Sequence, residues 1–96
     1  GSGIIVVGIT LDLAARSVLS GPFIVTRGFI YVKESEEFID ESQNVVMEAV
    51  EAAFANKGKT DVNAMRNIIR DALRDLVWKR MKRNPVILPM VMDVGI

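Results

Sequence analysis

Three groups of side chains have types and spacings that could do chemistry. Carboxylates stand about one helical turn apart at Glu36/Asp40, Glu37/Glu41 and Glu48/Glu51. Paired acids of this kind can hold a divalent cation or share a proton. A basic run, Lys79, Arg80, Lys82 and Arg83, follows Arg66, Arg70 and Arg74 at i, i+4 and i+8, and clustered cations can neutralise phosphate. Arg27 interrupts an otherwise apolar strand pattern and needs a carboxylate, carbonyls or an anion beside it. Trp78 and Tyr31 could stack on bases.

Each group also has a plainer reading. The acids form a solvated helix face when no histidine accompanies them. Cations at a helix end complement its own dipole, and Asp71, Asp75 and the acidic first helix offer them partners. Arg27 can be an edge-exposed arginine or half of an ion pair within the domain. Trp78 and Tyr31 more often pack in a core or an interface. The chain has no histidine and no cysteine, so zinc hydrolase sites, Ser-His-Asp triads and disulfides cannot be built from it alone. Gly21 and Gly28 do not match a phosphate-loop spacing. No cofactor is expected in these residues.

The elements that must position these groups read as β-β-α-α-β. Gly1 and Ser2 read as a cloning remnant, which leaves residues 3–96 as one domain. Ile4 to Asp12 is rich in β-branched residues and predicts a strand. Leu13 to Arg16 should turn the chain. Ser17 to Leu19 begins the return strand, Ser20-Gly21-Pro22 interrupts it with a bulge or an edge, and Phe23 to Val32 continues it. Ser35 predicts a helix N-cap, followed by an apolar stripe through Phe38, Val45, Val46, Val50 and Phe54, with Ser42 as a gap. Gly58 predicts the helix's C-terminal cap. Thr60 or Asp61 caps a second helix with the stripe Val62, Met65, Ile69, Ala72, Leu73 and Leu76, and Pro85 ends it. Pro85 to Val94 predicts a third strand, at an edge or bulged at Pro89. The fold class is α+β, a three-stranded sheet with both helices packed on one face. The sequence leaves the third strand's place in the sheet open.

Charge is divided along the chain. Residues 1–56 carry 3 basic and 8 acidic side chains, and residues 57–96 carry 9 and 4, so a net charge of zero joins an acidic half to a basic half. The opening run Ile4–Ile9 is broken by Gly8 and lacks a preceding basic segment, so it does not read as a signal peptide. No segment reaches the roughly 20 apolar residues that span a bilayer, and no membrane partner is expected.

All three strands are apolar on both faces. Phe23, Val25, Phe29 and Tyr31 share one side of the second strand, and Val86, Leu88, Met90 and Met92 share one side of the third. Two helices cover only one side, whereas antiparallel sheets usually keep the second face polar. The uncovered side is therefore expected to be an interface, with Phe23, Val25, Phe29 and Tyr31 in it.

Three segments, in order, resemble one family. They are Ile5-Val6-Val7-Gly8-Ile9-Thr10-Leu11-Asp12, then Ser20-Gly21-Pro22-Phe23-Ile24-Val25-Thr26-Arg27-Gly28-Phe29-Ile30-Tyr31-Val32 followed by Glu34 and Ser35, then Lys82-Arg83-Asn84-Pro85-Val86-Ile87-Leu88-Pro89. The chain resembles the C-terminal domain of ribonuclease J, with Thr26 in place of a usual serine and Val86 in place of a usual methionine. The resemblance implies a parent enzyme with metallo-β-lactamase and β-CASP domains. That parent would be a zinc-dependent endonuclease and 5′-to-3′ exonuclease, cytoplasmic, acting in ribosomal RNA maturation and messenger RNA decay. Zinc and the catalytic residues would belong to those other domains, and none is carried onto this chain. The small domain would serve self-association, as a dimer, and would work alongside its own catalytic domains. A second reading is an RNA-binding module in which Arg27, Lys79, Arg80, Lys82 and Arg83 meet the backbone. A third is an unrelated stand-alone regulatory α+β domain.

Overall fold

A computed structural model describes residues 3–28, 32–56, 58 and 60–95, without the side chains of residues 32–35. Its elements are β1 (Ile4–Asp12), β2 (Ser17–Arg27), α1 (Val32–Ala55), α2 (Val62–Met81) and β3 (Val86–Asp93). The order is the β-β-α-α-β expected from the sequence. The sheet runs β2-β1-β3, with β1 antiparallel to β2 and parallel to β3.

Both proline-bearing strands are edge strands. Val86 N donates to Gly3 O at 3.0 Å and Val94 N to Leu11 O at 2.9 Å. Amides alternate along a strand, so the even-numbered amides of β3 face β1. Pro89, at an odd position, has its missing N–H on the outer side, where it costs the ladder nothing. In β2 the register shifts between Gly8 and Thr10 and again between Thr10 and Leu11, which is the bulge that Gly21-Pro22 predicted. The strand nevertheless runs unbroken from Ser17. Gly21 has φ 89°, and a Cβ there would stand 2.6 Å from the Gly8 carbonyl oxygen. Only glycine fits. On the same bulge, Gln43 Nε2 of α1 donates to Pro22 O at 3.0 Å.

Three local expectations are corrected. Strand β2 stops at Arg27, and Val32 already belongs to α1. The β-branched and aromatic run through 30–32 looked like strand, but its last residue is helical. Ser35 therefore lies inside the helix, past its N-cap position. Gly58 lacks the left-handed φ of a helix cap. The end of α1 is closed from elsewhere: Arg16, in the β1–β2 turn at φ 55°, donates from Nη1 to Phe54 O at 2.7 Å and Asn56 O at 2.6 Å, and from Nη2 to Gly58 O at 3.1 Å. A cation there answers both the unpaired carbonyls and the negative end of the helix dipole.

Helix α2 is capped as its sequence suggests. Asp61 accepts from Ala64 N at 2.7 Å, and Lys82, left-handed at φ 53°, sends its N–H to Trp78 O. Both helices lie on one face of the sheet, α1 alongside β2 and α2 alongside β3. Ile5, Val7, Ile9 and Leu11 of β1 and Ile87 of β3 meet Phe38, Val46 and Val50 of α1 and Met65, Ile69, Leu73, Leu76 and Val77 of α2 in the core. Ser42 is fully buried among them, and its Oγ has no hydrogen-bond partner among the described residues.

Candidate functional site

Alternation along the strands leaves the other side of the sheet without a cover from the described residues. Its rows follow from the register. Val25, Val6 and Leu88 lie side by side, then Phe23, Gly8 and Met90, then Ser20, Thr10 and Met92, with Ile4 and Val86 joining Arg27 at one end. Phe23, Met90 and Met92 are exposed at 62%, 64% and 62%. Val25, Val86, Leu88 and Ile4 are exposed as well. A contiguous apolar surface of this kind is what docking faces look like. Gly8 sits at its centre, where a missing side chain leaves a notch between Phe23 and Met90.

The expected interface residues Phe23 and Val25 are both on this face. Phe29 and Tyr31 lie outside the described residues. The sequence singled out β2; β3 contributes more of the exposed surface, and its alternation of Val86, Leu88, Met90 and Met92 was the signal for it.

The cations proposed for RNA are not gathered at one spot. Arg80 turns toward α1, with Nη2 3.4 Å from Glu37 Oε1 and 2.5 Å from Glu41 Oε1. Lys79 pairs with Asp75 at 2.9 Å. Upstream, Arg74 faces Asp71 at 3.9 Å, and Arg66 and Arg70 bond to Asn63 and Asn67 on their own helix. Lys82 Nζ lies 5.4 Å from the centroid of the Trp78 ring. Arg83 and Arg27 are exposed and make no ion pair among the described residues. Trp78 is 52% exposed, not a core residue.

At the opposite end of the sheet, Asp93 Oδ1 accepts from Leu13 N at 3.1 Å and Gly95 N at 2.9 Å. These amides, Gly95 first and then Leu13, hold its carboxyl below the usual range by stabilising the charged form. Among the described residues, no three acids, histidines or cysteines come together as a metal site. The acidic pairs of α1 stay on the helix surface, two of their members facing Arg80. No described helix is long and apolar enough to cross a membrane.

A family profile described as the ribonuclease J C-terminal domain matches residues 1–94. Ribonuclease J2 of Bacillus subtilis is 38% identical over 92 residues, covering 96% of this chain and 16% of that protein. Ribonuclease J 1 of Streptococcus pyogenes is 37% identical over 90 residues, 94% of this chain and 16% of its own length. Ribonuclease J 2 of Staphylococcus aureus (strain N315) is 35% identical over 92 residues, again 96% and 16%. The chain thus spans about a sixth of the length of the curated relatives it matches. The reading as an unrelated α+β domain is overturned, and the chain belongs to the ribonuclease J C-terminal domain family.

Proposed function

We propose that this domain is a non-catalytic assembly module of a ribonuclease J, joining two copies through the bare face of its sheet. The observation that carries the reading is the three-stranded apolar surface opposite the helices. A second copy is the occupant its chemistry favours. A two-fold interface sets a surface against itself, so any charge at its centre would meet its like. Among the described strand residues, Arg27 stands at one rim of this face and Asp12, which continues the alternation of Val6 and Thr10, at the other, so neither charge lies at its centre. Two such sheets can pack about 10 Å apart with their strands roughly aligned, and the notch at Gly8 gives a partner side chain a seat.

The catalytic work of the parent, zinc-dependent cleavage of RNA in the cytoplasm, would lie outside these residues. The residues present do not fit a zinc centre, because histidine and cysteine are missing from the chain and the described acids do not converge. The module would hold the catalytic bodies together and in register.

Light scattering on the 96-residue chain tests the proposal. A dimer is expected at micromolar concentration. Val25→Asp combined with Leu88→Asp should give a monomer with an unchanged circular dichroism spectrum. A monomeric parent chain, or a double variant that keeps the dimer mass, overturns self-association through this face. If the double variant fails to fold, Gly8→Trp, which fills the notch from the exposed side, replaces it with the same expected outcome.

A further inference from the structure

We infer that the outer face of α2 around Trp78 is a stacking site for single-stranded nucleic acid. The inference does not depend on the assembly reading. The site lies on the solvent side of a helix, and the bare face lies on the far side of the sheet from both helices.

The helix register makes the site. Leu76 and Val77 are buried in the core, and one residue further the helix turns Trp78 outward. Asp71, Arg74 and Asp75 share its exposed stripe at helical spacing, and with Asn84 they line a hollow beside the ring. An exposed indole against a hollow is a plate on which any base can stack.

The charges decide what kind of ligand the plate suits. Asp75 is taken by Lys79 at 2.9 Å, and Asp71 faces Arg74 at 3.9 Å. Each acid beside the ring therefore has its own cation. Lys82 and Arg83 have no carboxylate among the described residues, and Lys82 already lies over the indole at 5.4 Å. Lys82 over the ring, with the exposed Arg83 following it in the chain, matches a base with its flanking phosphates. The Asn84 amide can both donate to and accept from a base edge. An acidic peptide would use the cations and leave the ring idle, so a nucleic acid strand is the better fit.

The chain has a single tryptophan, so its intrinsic fluorescence reports this site directly. The 96-residue chain is titrated with a uridine oligoribonucleotide of about 12 nucleotides, a length sufficient for a short single-strand site. Quenching is expected, weakening steeply as salt rises. Lys82→Glu with Arg83→Glu should weaken binding at least tenfold, about what two lost phosphate contacts imply. Trp78→Leu, followed by anisotropy of a labelled oligonucleotide, should weaken it about tenfold, the effect of one lost stacking contact, and leave binding of inorganic polyphosphate unchanged. No quenching, polyphosphate binding as tight as RNA, equal displacement by an acidic peptide, or Trp78→Leu binding RNA normally would each overturn the inference. Should Trp78→Leu not fold, the charge-reversed pair, which lies outside the core, decides.

Discussion

Arg16 reaches from the β1–β2 turn to the far end of α1, where its Nη1 donates to the carbonyl oxygen of Phe54 at 2.7 Å. One guanidinium thereby ties the first hairpin to a helix end nearly forty positions away. Arg16→Ala should cost about 1–2 kcal/mol, the exposed end of the range for charged hydrogen bonds. Arg16→Gly should cost less, because glycine relieves the left-handed φ that Arg16 adopts. Urea unfolding of the three proteins checks the order; an unchanged Arg16→Ala midpoint would contradict the tie.

Gly21 has no room for a side chain. Gly21→Ala should lose about 2–4 kcal/mol, from positive φ and from a Cβ pressed on the Gly8 carbonyl. Among the described residues, nothing lies within 4 Å of where a Cβ at Gly58 would stand, so Gly58→Ala should stay within about 0.5 kcal/mol. Thermal melts of the two variants side by side give the comparison, and similar losses would show the clash to be relieved by backbone movement.

Ser42 buries a hydroxyl with no partner among the described residues. Removing an unsatisfied polar group and raising helix propensity act in the same direction. Ser42→Ala should stabilise the domain by about 0.5–1 kcal/mol. A loss of stability in chemical denaturation would contradict this assignment.

Asp93 links pH to stability. Its folded pKa is depressed by the amides of Gly95 and Leu13. A depressed carboxyl contributes stability above its unfolded pKa and loses it as pH falls through the folded value. Asp93→Ala should therefore weaken the domain near neutral pH and narrow its gap to the parent protein in strong acid. Unfolding free energies at about pH 7 and about pH 2 measure this, and a gap that stays constant would refute the assignment.

Much of this was legible in the sequence, for identifiable reasons. Period-two patterning assigned Ile5, Val7, Ile9 and Leu11 to one face and Val86, Leu88, Met90 and Met92 to another without reference to tertiary structure. Pro22 and Pro89 limited their strands to an edge or a bulge, because a missing N–H has few other places to go. Trp78 stands off the stripe Met65, Ile69, Leu73 and Leu76, so its exposure could have been read from spacing; its size pointed the other way. What stayed hidden was long-range. Nothing local tells β3 to pair in parallel with β1, or sends Arg16 to Phe54. Val32, read as the end of a strand, opens α1 instead, because apolar alternation does not reveal where a helix begins.

The position of β1 between β2 and β3 sets an order on the making of this domain. During synthesis the middle strand emerges first and its parallel neighbour last, after two helices have left the ribosome. Until residues 86–93 arrive, one edge of β1 presents its amides and carbonyls to any passing strand. The nascent domain is thus most vulnerable to mispairing late in its own translation, when most of its core is already available to collapse.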